Sequence, residues 1–157
     1  MSRRTLLFLS VAFLVPLGCD VVTPRPETDL RAEIEGQRAA WEERGFRDYS
    51  FILRRSCFCP PLALGPARVH VEQGTVVRVA DPESGEEFPA DHWHLFPAIE
   101  GVFSILLDAV DRDADEVDLE WHEDLAYPRS AFVDYSRSTA DEEIGFEVSA
   151  VEARDEP

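Results

Sequence analysis

Cys57 and Cys59 are separated by one residue and followed by two prolines, and they are the most reactive side chains of the chain's central region. Four kinds of chemistry suit such a pair: a local structural disulfide, two free and partly buried thiols, a soft-metal site, or a redox-active pair. In a regular strand their Cα atoms would lie about 6.5–7 Å apart, at the outer limit for a disulfide. Because Pro60 and Pro61 interrupt the strand, a bent loop can bring the sulfurs together, and the disulfide is the interpretation we favour.

Histidines are the other candidate metal ligands. His92 and His94 flank Trp93, and His70 and His122 lie on segments that we expect to be strands. Two thiolates with one or two imidazoles suit zinc or copper. No spacing in the sequence requires these groups to meet, and isolated surface histidines explain the same pattern, so we expect no cofactor. The candidate metal ligands are Cys57, Cys59, His92 and His94.

The chain contains no familiar catalytic motif: there is no Gly-rich phosphate loop, no G-x-S-x-G elbow and no H-E-x-x-H. Asp111, Asp113 and Asp115 have the spacing that opens a calcium loop. However, Glu116 stands where that loop needs Gly, and His122 stands where it needs Glu. We therefore predict no catalytic residues, and the pattern favours a non-enzymatic module over an enzyme.

The charge is strongly negative and unevenly distributed. The formal net charge is −17, and all 15 basic residues are arginine. We expect no nucleic-acid partner, because binding to phosphates needs a basic surface. Residues 81–157 contain four arginines and 23 acidic residues, whereas residues 19–80 contain nine of each. The acidic half predicts either a solvated surface or a docking face for a basic partner or for divalent cations.

The N-terminus has the pattern of an export signal. Met1–Arg4 is a short basic start, and Leu6–Leu17 is almost wholly apolar. That run is too short to span a bilayer, for which about 20 residues are needed, but it has the length of a signal-peptide core. It ends at Gly18 and Cys19, and a small residue followed by Cys is what lipoprotein signal processing recognises.

Residues 14–19 resemble a bacterial lipobox, with two departures. Pro16 stands where Leu is usual, and Leu17 stands where a small residue is usual. We predict lipidation at Cys19, with acyl chains such as palmitate, and two or more chains on one residue give stable membrane anchoring. The alternative is an ordinary cleaved signal with an incidental Cys.

These features define four segments and a location. Residues 1–18 are predicted to be a lipoprotein signal peptide, and residues 19–28 the lipidated Cys with a proline-containing tether. Residues 29–152 form a single domain, and residues 153–157 an acidic tail. We expect the protein in the bacterial cell envelope, anchored to a membrane through its N-terminal lipid. Its expected partner is an unknown envelope protein, for which a basic surface would fit.

The domain is predicted to repeat one order of elements. A helix capped by Thr28 begins at Asp29 and ends at Gly45, and a second spans Ile99 to Val110 with the clearest helical spacing in the chain. A tight turn at Gln73-Gly74 joins two strands, and residues 80–97 form a long surface connection. The predicted strands are Tyr49–Arg54, Ala67–Glu72, Thr75–Val79, Val117–Trp121, Ala131–Tyr135 and Ile144–Val148.

The order is therefore α-β-β-β, a long loop, and α-β-β-β again. Short connections within each half favour an antiparallel pairing of neighbouring strands. The predicted fold class is α+β, with an antiparallel sheet of about six strands and two helices packed on one face.

Several short motifs lie along roughly residues 38–150. They are Asp48-Tyr49-Ser50-Phe51, Cys57-Phe58-Cys59-Pro60-Pro61, the hairpin Arg68–Val76, Phe96-Pro97, the helix start Ile99–Phe103, Tyr127-Pro128 and Val133-Asp134-Tyr135. Together they resemble the bacterial lipoprotein family catalogued as domain of unknown function 6174. The resemblance implies an exported or lipid-anchored protein and supplies no activity. That family typically has Gly before its Tyr-Pro pair, where this chain has Ala126; if the Gly served a positive φ, the turn here is strained or altered.

Together these features predict a membrane-anchored envelope lipoprotein that acts as a non-enzymatic binding or scaffold module. The alternative is a thiol- or metal-dependent function centred on Cys57 and Cys59.

Overall fold

Alternating apolar and polar residues form six strands, and two apolar stripes at helical spacing form the helices that cover them. The structure, a computed structural model, describes residues 27–154. The predicted signal peptide, Cys19 and residues 155–157 lie outside that range. The helices are α1 (Glu27–Glu43) and α2 (Ile99–Asp111). The strands are β1 (Tyr49–Cys57), β2 (Ala67–Glu72), β3 (Thr75–Ala80), β4 (Glu116–Trp121), β5 (Pro128–Asp134) and β6 (Ile144–Ala153).

The strands form one sheet in the order β3-β2-β1-β6-β5-β4, and every neighbouring pair is antiparallel. Each half of the chain contributes a three-stranded meander, and the meanders join where β1 pairs with β6. Helix α2 follows β3 at one edge of the sheet and precedes β4 at the other edge. The predicted fold class, an α+β domain with a six-stranded antiparallel sheet, is confirmed.

The core lies between one face of the sheet and the two helices. On β1, Tyr49, Phe51 and Leu53 are fully buried, because alternate residues of a strand point to the same side. Trp41 of α1 packs edge-on against the ring of Tyr49, with 5.4 Å between ring centroids. Phe103 of α2 is also fully buried, and burial of one such side chain contributes about 1.5–3 kcal/mol.

The other face of the sheet is polar and open to solvent. The outward residues alternate with core residues along each strand, and ion pairs join some of them, such as Arg54 with Glu147 at 3.7 Å. The outward side chains of the central and β4-side strands include Arg54, Glu120, Glu147 and Ser149, all exposed.

Several boundaries differ from the sequence expectation: β1 ends at Cys57 rather than Arg54, and β5 spans Pro128–Asp134 rather than Ala131–Tyr135. Helix α1 begins at Glu27, so Thr28 lies within the helix and is not its N-cap. Strand β6 runs to Ala153, because Ala153 still pairs with Tyr49 of β1 across the sheet. The connection expected over residues 80–97 contains a 3₁₀ helix, Ala90–Leu95, and a second short one follows β1 at Pro61–Ala63. The ends of helices and strands vary by one or two residues with the contacts around them, and a local pattern does not fix them.

The predicted turn between β2 and β3 is present. Gln73 and Gly74 both have positive φ, 49° and 75°, which is the conformation of the type I′ hairpin turn. The Asp48 carboxylate accepts the Gln73 amide at 2.9 Å and the Gln73 side-chain amide at 3.1 Å. The Asp48-Tyr49 motif therefore connects this turn to the start of β1.

Candidate functional site

Cys57 and Cys59 lie at the end of β1, where the strand turns away from the sheet. The Cys59 amide donates to the Cys57 carbonyl at 2.8 Å, closing a three-residue turn. The turn shortens the Cα–Cα distance to 5.2 Å and places the two sulfurs at disulfide-bonding distance. This is the bent loop that the following prolines lead one to expect, and a disulfide is the chemistry its geometry suits.

The inner side of this corner is supported by Arg55. Its guanidinium donates to the Leu95 carbonyl and lies over the Phe146 ring, 5.3 Å from the ring centroid. Burial lowers the pKa of Arg55 from its ordinary value, because the charged form loses hydration. Arg55 thus connects β1 to the 3₁₀ segment from Ala90 to Leu95, and its side chain is partly buried.

The histidines are not gathered around the cysteines. His92 Nδ1 lies 3.0 Å from the Asp91 carboxylate, and His94 Nδ1 lies 2.7 Å from the Asp91 carbonyl, so both rings have local partners. His122 accepts the Leu125 amide at 3.2 Å in the turn after β4. Within residues 27–154 no group of three or more His, Cys, Asp or Glu side chains is arranged to hold a metal ion.

His70 occupies a different environment, on the outward side of β2. Its Nδ1 lies 3.2 Å from an Nη2 nitrogen of Arg154. Burial lowers the pKa of His70, and the positive charges of Arg154, Arg78 and Arg68 lower it further. His70 therefore favours the neutral form, in which it can lie beside the arginines on that part of the sheet without charge repulsion.

A groove runs across the open face of the sheet beside the cysteine turn. Its volume is about 320 Å³. Gly145 of β6 pairs with Ser56 on one side and with Phe132 on the other. A Cβ built on Gly145 would collide with Ser56 Oγ, so the Ser56 side chain lies over the position where a larger residue would place its own. The groove is lined by Ser56, Cys57, Phe58, Phe132, Asp141 and Glu143.

Two exposed aromatic rings border this groove. The side chain of Phe58, at the tip of the cysteine turn, is 83% exposed, and that of Phe132 is 36% exposed. Large apolar side chains are exposed at only two other positions in the described chain, Leu64 and Val77. An aromatic pair at one groove is therefore a local concentration of apolar surface, which is a typical property of an interaction site.

One rim of the groove is negatively charged. Asp141, Glu142 and Glu143 are exposed in the loop between β5 and β6, and within residues 27–154 none of them has an ion-pair partner. The one arginine of this loop, Arg137, donates to the Glu116 carboxylate at 3.1 Å. The loop thus presents uncompensated negative charge next to the two aromatic rings.

Phe132 and Gly145 were not among the residues predicted from sequence. The signal for Phe132 is present, because Ala131, Phe132 and Val133 form an unbroken apolar run in which the middle residue must point outward. The role of Gly145 has no comparable signal, since only the pairing of β1 with β6 places it opposite Ser56.

A polar network lies at the other end of β1, inside the core. The Glu100 carboxylate accepts hydrogen bonds from Trp41 Nε1 at 2.9 Å and from Tyr49 Oη at 2.6 Å. Burial raises the pKa of Tyr49 far above its ordinary value, and the negative charge of Glu100 adds to the effect. Each carboxylate oxygen accepts one of these hydrogen bonds, so the network joins α1, β1 and α2.

The Tyr-Pro motif also has a structural role. Tyr127 is buried, and its ring lies 6.1 Å from that of Trp41. Ala126, directly before it, has a φ of 62°, in the left-handed region. This is the strained turn expected where an Ala occupies the position of the family's Gly.

Comparison of the chain with known proteins identifies its family but assigns it no activity. In residues 27–154, no helix is both long and apolar enough to cross a membrane. No curated protein and no solved structure shows detectable similarity to the chain. The model of a family of unknown function, DUF6174, matches residues 33–153. The match runs from the middle of α1 to the end of β6 and includes all six strands, and the chain therefore belongs to the DUF6174 family.

Proposed function

We propose that this protein is a lipid-anchored lipoprotein of the bacterial cell envelope whose folded domain is a non-enzymatic binding module. The N-terminal pattern carries the first part of the proposal: a basic start, a short apolar run and Gly18 followed by Cys19. The apolar run is too short for a permanent span, and its end has the small-residue-Cys pair of a lipoprotein signal.

Residues 19–26 would then tether the folded domain to the membrane. Pro24 and Pro26 lie in this segment, and proline stiffens a linker.

The groove beside the cysteine turn supports the second part of the proposal, that the folded domain is a binding module. Its lining combines two exposed aromatic rings with two carboxylates, Asp141 and Glu143. Ser56 and Cys57 also line it, but no histidine, lysine or arginine is among its lining residues to activate a nucleophile. Apolar surface with adjacent charge supports recognition of a partner more than it supports acid-base or nucleophilic chemistry.

Lipidation is tested on the full chain expressed in a bacterial host. We expect incorporation of an alkyne-labelled palmitate analogue and a mature chain that begins at Cys19, measured by intact-mass spectrometry. The Cys19→Ser variant is expected to lose the label and to leave the membrane fraction. A wild-type chain that is unlabelled and cleaved at another position would refute the lipid anchor.

A thiol- or metal-dependent function is the second candidate, favoured by the position of Cys57 and Cys59 at one solvent-facing corner. In that case Cys57→Ser should abolish a cellular phenotype without lowering stability. For a binding module, Cys57→Ser should act only through stability. Measuring the phenotype and the thermal midpoint of the same variant separates the two.

A further inference from the structure

We infer that the groove between Phe58 and Phe132 is a docking site for a basic peptide segment of a partner protein, with a large apolar side chain placed between cationic residues. This inference deepens the proposed binding function and rests on it. We call the site the Phe58 groove; it comprises the six lining residues given above.

The cysteine turn keeps Phe58 in solvent. Phe58 lies between Cys57 and Cys59, which are both partly buried and which the turn holds together. Its neighbours on both sides are thus tied to the domain, and the backbone between them presents the ring to solvent. The turn fixes the backbone at Phe58, so less backbone conformational entropy is lost when a partner covers the ring.

The shape of the groove suits one anchoring side chain. Phe58 and Phe132 both line the groove, together with Ser56 and Cys57 of β1 and the acidic loop residues Asp141 and Glu143. A volume of about 320 Å³ is at the small end of ligand pockets, which favours one or two residues of a peptide over a large cofactor. An apolar side chain entering it would cover both exposed rings.

Charge selects the residues next to that anchor. Asp141 and Glu143 line the groove, and Glu142 lies between them in sequence. The nearby Arg137 is already paired with Glu116, so the rim is available to cations from outside. Arginine or lysine flanking the anchor would complement the rim, whereas nucleic acid and anionic lipid would be repelled.

The test uses the full chain, purified in a nonionic detergent, and a photo-crosslinking peptide, Gly-Arg-Bpa-Leu-Arg-Gly, where Bpa is p-benzoylphenylalanine. We expect ultraviolet light to produce adducts that peptide mapping places at residues 56–58, 132 or 141–145. A peptide with Glu in place of both Arg residues should give about tenfold less adduct, because its charge has the wrong sign for the rim. Raising the salt concentration should reduce the adduct of the Arg peptide.

Variants with matched controls test the two parts of the site. Phe58→Ala and the double variant Asp141→Asn, Glu143→Gln should each reduce the adduct by about tenfold. Val77→Ala removes another exposed apolar side chain, and Glu83→Gln with Glu86→Gln removes two exposed charges elsewhere. Both controls should crosslink as the wild-type protein does. Thermal unfolding of each variant shows that the fold is retained, which the exposure of these side chains leads us to expect.

Two outcomes would overturn the inference. Adducts spread over the acidic surface, and reduced equally by the Glu83 and Glu86 control, would mean that the peptide is held by net charge alone. Adducts at the groove that persist unchanged in Phe58→Ala would remove the apolar anchor from the site. Neither result depends on lipidation at Cys19, which the palmitate experiment decides separately.

Discussion

Tyr49 donates its phenolic hydrogen to Glu100 at 2.6 Å and accepts the backbone amide of Ile99 at 3.1 Å. One side chain on the central strand therefore satisfies both the first amide of α2 and the carboxylate next to it. Because Trp41 of α1 donates to the same carboxylate at 2.9 Å, the contact joins both helices to the sheet. Buried polar groups that are fully satisfied in this way specify one arrangement of the elements around them.

Removing the Tyr49 hydroxyl is expected to destabilise the fold. Tyr49→Phe leaves the buried Ile99 amide without its acceptor and takes one donor from Glu100, which should lower the free energy of unfolding by about 1–3 kcal/mol. Urea denaturation measures the change. Tyr127→Phe is the matched control, because Tyr127 is also buried but its hydroxyl has no hydrogen-bond partner within residues 27–154; a loss of equal size there would contradict the network's role.

The same hydroxyl predicts a loss of stability at high pH. The pKa of Tyr49 is raised in the folded protein by burial and by Glu100. Its stabilising contribution is therefore complete below the unfolded value near 10, and it decreases as pH rises above that value. Above pH 10 stability should fall by up to about 1.4 kcal/mol per pH unit from this group. Urea denaturation between pH 8 and 11 checks this, and the decline should be shallower in Tyr49→Phe.

Relieving the strained turn before Tyr127 is expected to stabilise the protein. Ala126 has a φ of 62°, which costs an L-residue about 1–2 kcal/mol relative to Gly. Gly also increases the entropy of the unfolded chain, so Ala126→Gly should yield a net gain of about 0.5–1 kcal/mol. Thermal and urea unfolding report the change. Ala39→Gly, at an exposed site within α1, should act in the opposite direction, and the same sign at both sites would argue against backbone strain.

The cysteine pair is expected to be oxidised and modestly stabilising. Thiol alkylation followed by mass spectrometry should show Cys57 and Cys59 unlabelled until a reductant is added, and a chain two hydrogens lighter than its reduced form. The closed loop is very short, so the double variant Cys57→Ser, Cys59→Ser should lose only about 1.5 kcal/mol of stability. Immediate labelling of both thiols in the native protein would contradict the disulfide and would favour the thiol-dependent alternative.

Regular periodicity allowed most of the fold to be predicted. The spacing of Val102, Phe103 and Leu106 predicts the buried face of α2, and all three are fully buried. The alternation from Tyr49 to Leu53 likewise predicts the core side of β1. Local patterns of this kind predict which side chains are buried, because side chains return to the same face of a helix or strand at a fixed spacing. The helix start at Glu27 was missed, since the ends of helices depend on weak local preferences and on contacts.

The site was only partly predictable. The Cys57-Phe58-Cys59 segment was identified from residue types, but its groove also needs Phe132, which is distant in sequence. The segment and Phe132 come together because β6 inserts between β1 and β5 in the sheet order. The network of Trp41, Tyr49 and Glu100 was missed for the same reason, since its members are 51 and 59 residues apart.

By itself, the sequence determined the α+β class, the order of the elements, the tight hairpin at Gln73-Gly74 and the position of the cysteine turn, because each depends on neighbouring residues. The tertiary structure alone decided the strand order, which joins two meanders through β1 and β6. It also decided which exposed aromatic rings border one groove and which carboxylates surround it. Those outcomes depend on pairing between segments far apart in the chain, and no local periodicity encodes a choice of partner strand.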